Sequence, residues 1–275
     1  MRMGQTVSAG VIGRFSLFSV MLVVLSLLPT LSHAAIFWDD ELEAGTPFGV
    51  GYSIGIGAMA YDTSVKFSGS GSTRLNYPSS CQTLTTANQC GGSAHRVIPP
   101  TDDLYRRTYF RMSGSGPNPT NSGVFEVAAV YTKMLRTTSN GINKTWWTMG
   151  CCGSKKMTFA AENVPPGGSL PLYSSITLAD NRWYCIETHE KLNTPGVANG
   201  IAQAWIDGAQ VMNVTNIKYR EAGNNNLWNS VAIFRQIGAG NIWWDRYAAG
   251  NTRIGCSGSI PQGDTTPPSI PSGVR

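Results

Sequence analysis

Apolar and polar positions alternate in twos along most of this chain, the spacing of β-strands and not of helices. In "DDLYRRTYFRMSG", Leu104, Arg106, Thr108, Phe110 and Met112 fall on one face, and Tyr105, Arg107, Tyr109 and Arg111 on the other. "SGVFEVAAVYTKML" is apolar on both faces and reads as a central strand. "TWWTMGCC" with "KKMTFAAE", and "NSVAIFRQIG" with "NIWWDRYAAGN", give further strands. From Ile36 to Pro78, short apolar pieces are cut by Gly and Ser, which is turn chemistry. No window holds a helical period. Many short strands separated by Gly, Pro and Asn predict one all-β domain of two packed antiparallel sheets, over residues 35–258.

The segment "NRWYCIETHEKLNTPGVANGIAQAWIDG" departs from ordinary strand chemistry. Trp183, Cys185, Glu187, His189 and Lys191 share one face, so three ionisable groups stand in a row. Tyr184, Ile186, Thr188, Glu190 and Leu192 share the other. "NTPG" predicts a turn through Pro195 and Gly196. Gln203 and Trp205 then alternate with Ala202, Ala204 and Ile206, and Asp207-Gly208 is a strong hairpin signal.

Composition narrows the class. Only 13% of the 275 residues are charged, with 31 glycines, which fits a globular β protein. Residues 1–34 place Arg2 and Arg14 before an apolar run from Phe15 to Leu28, followed by Pro29, Ser32 and Ala34. This predicts a secretory signal cleaved after Ala34, the run being short of the ~20 residues of a spanning helix. A secreted or periplasmic protein follows, with no membrane partner after cleavage. Losing two arginines lowers the formal charge from +5 to about +3. That permits an acidic polymer as partner and lacks the basic density of nucleic-acid binding. The six cysteines, Cys81, Cys90, Cys151, Cys152, Cys185 and Cys256, predict disulfides. Cys81–Cys90 closes a short loop, and the vicinal Cys151 and Cys152 are expected to reach Cys185 and Cys256. The tail, residues 259–275, "SIPQGDTTPPSIPSGVR", reads as a linker.

The pattern "W…E…KLNTPG…G…W.DG" resembles a segment of the concanavalin A-like lectin/glucanase superfamily. More narrowly it is similar to the jelly-roll polysaccharide lyases that act on alginate and glucuronan. Trp183, Ile186, Glu187, Lys191, Leu192, Asn193, Pro195, Gly196, Gly200, Trp205, Asp207 and Gly208 match, and Asn199 stands where those families often have Asp. "LYRRTYFRMS", "IWWDRYAAGNTRIGC" and "FSGSGSTRLNY" resemble further strands of the superfamily. Where those lyases often carry a Gly-Gly-Lys strand, this chain has "NSGVFEVAAVYTKML" with Glu126. "DTTPPSIPSGV" resembles the opening of a fibronectin type III module. The resemblance implies a jelly roll that grips or cleaves a polysaccharide.

Cleavage by β-elimination needs a group that neutralises a uronate carboxylate, a base for the C5 proton and an acid for the leaving oxygen. The candidates are Arg107 and Lys191 for the carboxylate, with Arg111 beside them, and His189 and Tyr109 for proton transfer. Tyr105, Glu187, Gln203 and Trp205 are candidate substrate-binding residues. No cofactor is implied. Asp39, Asp40 and Asp245 are the oxygen ligands a structural Ca²⁺ would use, although no spaced calcium loop is present. A zinc site is disfavoured by the lack of a CxxC pair. The paired carboxylates of a sandwich glucanase are absent, because Glu187 and Glu190 point to opposite faces. The alternatives are a non-catalytic, lectin-like or adhesive module that stacks aromatic residues on sugars, and a purely structural exported domain. A monomer is the expected state. What separates enzyme from scaffold is whether Arg107, Arg111, His189 and Lys191 meet in one groove.

Overall fold

The computed structural model describes residues 35–43, 50–55, 58–77, 90–113, 132–140, 142–149, 156–161, 172–236 and 240–256. The expected signal, the tail, Glu126, Cys81, Cys151 and Cys152 lie outside these residues. The described residues are all-β and form two antiparallel sheets, numbered here in chain order. Across the first run β13 (Ala209–Ile217), β12 (Gly200–Ile206), β11 (Tyr184–Lys191), β6 (Asp103–Met112), β15 (Gly240–Gly250), β4 (Ser72–Tyr77) and β3 (Ala58–Asp62), with β1 (Ile36–Asp40) also paired to β15. Across the second run β10 (Leu172–Thr177), β9 (Lys156–Ala161), β8 (Ile142–Met149), β7 (Thr132–Ser139), β14 (Trp228–Gln236), β5 (Cys90–Thr101) and β2 (Val50–Gly55). This is the β-sandwich that the alternating pattern predicts.

Both predicted turns form. The Val197 N–H donates to the Thr194 carbonyl at 2.8 Å, and Gly196 has φ 85°. Pro in the second position and a positive-φ Gly in the third make a type II turn. Asp207 and Gly208, at φ 52° and 84°, are the two-residue turn between β12 and β13. Two successive positive φ values match the right-handed twist of a hairpin. That turn is fastened backwards: the Cys185 N–H donates to Asp207 Oδ1 at 2.9 Å, and the Asp207 N–H to the Cys185 carbonyl at 2.8 Å.

The inner faces bury Phe110, Ile186, Ala204, Ile206 and Trp244 from the first sheet against Leu135, Trp147, Phe159, Trp228 and Ile233 from the second. Two ionised side chains share this core. Arg106 and Glu190, each on an inward position, are essentially unexposed and form an ion pair. Glu190 also accepts from Trp147 Nε1 and, at 2.8 Å, from Thr145 Oγ1; its backbone carbonyl accepts from Trp228 Nε1 at 3.1 Å. Arg106 Nη1 donates to the Arg136 carbonyl at 3.0 Å. The pair therefore reaches from β6 and β11 to β7, β8 and β14 on the facing sheet.

Removing one member of such a pair leaves a buried charge uncompensated. Glu190→Ala is expected to lower unfolding free energy by about 3–5 kcal/mol in urea denaturation. The double variant Arg106→Met/Glu190→Leu should recover only part of this, because Trp147 and Thr145 still lack their acceptor. A loss under about 1 kcal/mol for Glu190→Ala would contradict the central role given to the pair.

Candidate functional site

Inter-strand register sorts the outer face of the first sheet into rows. Lys191 stands opposite Ile201 and Asp103. In the next row Asn213, Gln203, His189, Tyr105 and Gly250 lie side by side on β13, β12, β11, β6 and β15. Then come Gln210, Trp205, Glu187, Arg107, Ala248 and, on β1, Asp39. Beyond that are Cys185, Tyr109 and Asp245, and last Arg111, Trp243 and Arg74. Every predicted site residue lies on this one face. Tyr109 and His189 do not look out from opposite sides of the sandwich.

The face is nonetheless divided by what lies over it. Residues after β15 fold back as a strap, pinned by the Cys185–Cys256 disulfide. This pairing corrects the expectation that Cys151 and Cys152 reach these two partners. Adjacent rows of a sheet bring Cys185 under the returning strap, a proximity that sequence separation hides. Beneath the strap, Glu187 is 0% exposed, and Oε1 accepts from the Ile254 and Gly255 N–H groups at 2.7 and 3.0 Å. Its Oε2 accepts from Arg253 Nε at 3.2 Å. The Arg253 guanidinium also lies over the Trp205 ring, 4.6 Å from its centroid. Glu187 thus anchors chain, and it does not pair with Lys191.

A second cover is the turn after β3. Phe67 stacks on Tyr109 with centroids 3.7 Å apart, and Trp183, Trp243 and Val65 close the cluster. Tyr109 is 0% exposed, and burial raises its phenol pKa against the charges of Arg107 and Arg246. Arg107 is likewise buried and pairs with Asp39 at 3.1 Å. Arg111 lies farther along, over the Trp243 ring at 5.7 Å. The four residues named from sequence are therefore not in one groove: Arg107 is roofed, Arg111 lies past the Phe67 cluster, and only His189 and Lys191 share a corner.

That corner holds Tyr105, His189, Gln203, Asn213, Lys191 and Asp103. His189 Nε2 is 2.7 Å from Asp103 Oδ1, and Nδ1 is 2.8 Å from Gln203 Oε1. Gln203 Nε2 donates to Asn213 Oδ1 at 2.8 Å. Lys191 Nζ meets Asp103 Oδ2 at 3.2 Å. Burial pushes the Asp103 carboxyl up, but the bonds and charges of His189 and Lys191 outweigh it and hold the pKa below its usual value. Tyr105 stacks flat on His189, centroids 3.9 Å apart, with Trp205 6.5 Å away. Burial, then the charges of Asp103 and Glu187, raise the Tyr105 pKa against Arg253, so it is held as a phenol.

Other candidates fall away by position. Asp39 is tied to Arg107, Asp40 Oδ1 accepts from the Leu42 N–H, and Asp245 Oδ2 accepts from the Phe67 and Ser68 N–H groups. They do not converge on a cation, and the described residues contain no group of three metal-ligating acids, His or Cys. Trp147, Trp228 and Trp244 are core; Trp243 belongs to the Phe67 cluster, and Trp146 lies under Arg136 on the other sheet. Asp103, Asn213, Phe67 and Arg253 were not singled out in the sequence. Asp103 was findable as the acid opening the Tyr105 strand; the other three gave no local signal.

No protein-family model matches the chain, and no curated protein matches it in sequence. Solved structures match its fold. "Cellulose induced protein, Cip1" superposes with a TM-score of 0.55 at 17% identity, over 80% of this chain and 99% of that one. The endo-β-1,4-glucuronan lyase from the fungus Trichoderma reesei gives 0.55 at 12%, over 79% and 96%. The marine PL-14 alginate lyase from Aplysia kurodai gives 0.57 at 11%, over 78% and 99%. The chain thus shares the jelly-roll β-sandwich of polysaccharide lyases, as the motif resemblance implies. At these identities the likeness is one of fold.

Asp245 supplies a test of the roofed region. Burial raises its pKa from 3.8 to about 7 against the two N–H donors, with Glu41 and Glu43 adding to the rise. A carboxyl with a raised folded-state pKa binds its proton more tightly when folded. Its contribution is complete below 3.8 and is lost as pH climbs through about 7. Asp245→Asn keeps an acceptor for Phe67 and Ser68. In thermal melts the wild type should lose about 10 °C more than the variant between these two pH values. Parallel profiles would show that Asp245 is ionised throughout.

Proposed function

We propose that this protein acts on a polysaccharide through the open corner of its first sheet, with cleavage of a uronate polymer by β-elimination as the specific reaction. The observation behind this is the row Asn213–Gln203–His189–Tyr105 beside Lys191, in which Asn213 is exposed, Gln203 and Tyr105 are half-buried and His189 lies beneath Tyr105. The fold shared with alginate and glucuronan lyases supports it. A disulfide supports a secreted or periplasmic setting.

On this reading the roles differ from those suggested by sequence. Tyr109 is covered, and both nitrogens of His189 face acceptors, so neither is placed to take a proton from substrate. Tyr105 replaces them. Its hydroxyl bonds to no described residue. As phenolate it takes the C5 proton; the C–H electron pair becomes the C4–C5 double bond, the C4–O bond breaks, and the phenol returns the proton to the leaving oxygen. Lys191 stands at the rim of the corner with its Nζ on Asp103, and the buried His189 ring is the surface on which Tyr105 stacks. Because Tyr105 is held as a phenol, the rate by this route climbs with pH through the alkaline range.

The second reading is glycan binding without cleavage. It is favoured by the saturation of Asp103, whose carboxylate already holds both His189 and Lys191.

The decisive experiment follows the ultraviolet absorbance of unsaturated uronate during incubation with alginate and with glucuronan, at neutral and alkaline pH, with binding measured in parallel. Absorbance should rise, faster at alkaline pH, and Tyr105→Phe should lower the rate by about 10²–10⁴-fold while polymer is still bound. Binding with no absorbance rise selects the second reading. Neither binding nor product removes both.

A further inference from the structure

We propose that Arg253, carried on the strap, is the specificity-determining residue of the open corner: its guanidinium receives the carboxylate of an acidic sugar unit lying against Tyr105. This rests on the function proposed above and names the feature of the substrate that the site selects.

The strap holds this side chain in place from several directions. Covalently, Cys256 is joined to Cys185 on β11. Through the backbone, the Ile254 and Gly255 N–H groups donate to the buried Glu187. Through the side chain, Nε bonds the same carboxylate while the guanidinium plane lies over Trp205. Nη2 reaches the Gly208 carbonyl only at 3.5 Å. Nη1 makes no hydrogen bond or ion pair to a described residue, and the side chain is 49% exposed. A guanidinium has five N–H donors on more than one edge, so one edge can stay on Glu187 while another takes a second carboxylate. A flexible cation would lose rotamer freedom on binding; this one has already lost it.

Position points to the same ligand. Arg253 lies on Trp205, whose ring stacks at 6.5 Å from Tyr105. Its positive charge is felt at the Tyr105 hydroxyl. The Lys191 ammonium and the His189 ring of the corner are already matched by Asp103. Arg253 keeps an edge that bonds to no described residue.

The test measures affinity of the whole protein for alginate and glucuronan, with neutral β-mannan as comparator, for wild type, Arg253→Gln, Arg253→Lys and Cys256→Ser. Thermal melts establish that each variant is folded. Arg253→Gln should weaken binding of both acidic polymers by about tenfold and leave mannan unchanged. Arg253→Lys, which keeps charge without the fork, should fall between. Cys256→Ser, which frees the strap with Arg253 intact, should show the same acid-selective loss. Acidic polymers bound equally by wild type and Arg253→Gln overturn this inference alone. A wild type that binds none of the polymers overturns it together with the function proposed above.

Discussion

The structure turns on one polar contact in an apolar place, the ion pair of Arg106 and Glu190 between the two sheets. Its worth is less in net energy than in direction, since desolvation offsets much of the attraction of a buried pair. Apolar packing alone tolerates sliding of one sheet over the other. A carboxylate that must meet a guanidinium, an indole N–H and a hydroxyl at once does not. These donors come from β6 and from β8 of the facing sheet. With β11 and β6 fixed on their inner faces, their outer side chains follow by alternation. The row that puts His189 beside Tyr105 is the reverse side of the row that puts Glu190 beside Leu104 and the core.

A sheet face is uniform in geometry, and covers make it selective. Tyr105 and Tyr109 stand four residues apart on one strand, on one face, each near an Arg. One is stacked under Phe67 and closed to solvent; the other edges an open corner. The difference comes from two pieces of chain that are not part of the sheet. Each is held by a buried acid: Glu187 grips the backbone N–H groups of the strap, and Asp245 those of Phe67 and Ser68. Carboxylates receiving several backbone N–H bonds are economical fasteners, because they satisfy donors that an irregular segment would otherwise bury unpaired.

This explains what was legible in the sequence. Alternation gave the strands and, within each strand, the residues that share a face, Tyr105, Arg107, Tyr109 and Arg111 on one strand and Glu187, His189 and Lys191 on the other, because a period of two is a local property. Pro195-Gly196 and Asp207-Gly208 gave the turns, because positive φ is a local demand. The covers were not legible. Phe67 meets Tyr109, and Arg253 meets Glu187, across long stretches of chain with no spacing rule. The pairing of Cys185 with Cys256 was hidden for the same reason. Glu190 was placed on the face opposite Glu187, but nothing local to it announces that this face is the inward one or that Arg106 waits there.

The disulfide also decides how the molecule bears load. Without it, tension applied beyond Cys256 would lift the strap off the sheet one hydrogen bond at a time. With it, the pull passes through sulfur into β11, a strand bonded along both edges, to β12 and β6. Rungs on both sides then resist in shear and together. The route by which force enters the domain thus bypasses its most easily peeled segment and arrives at one of its most firmly held strands.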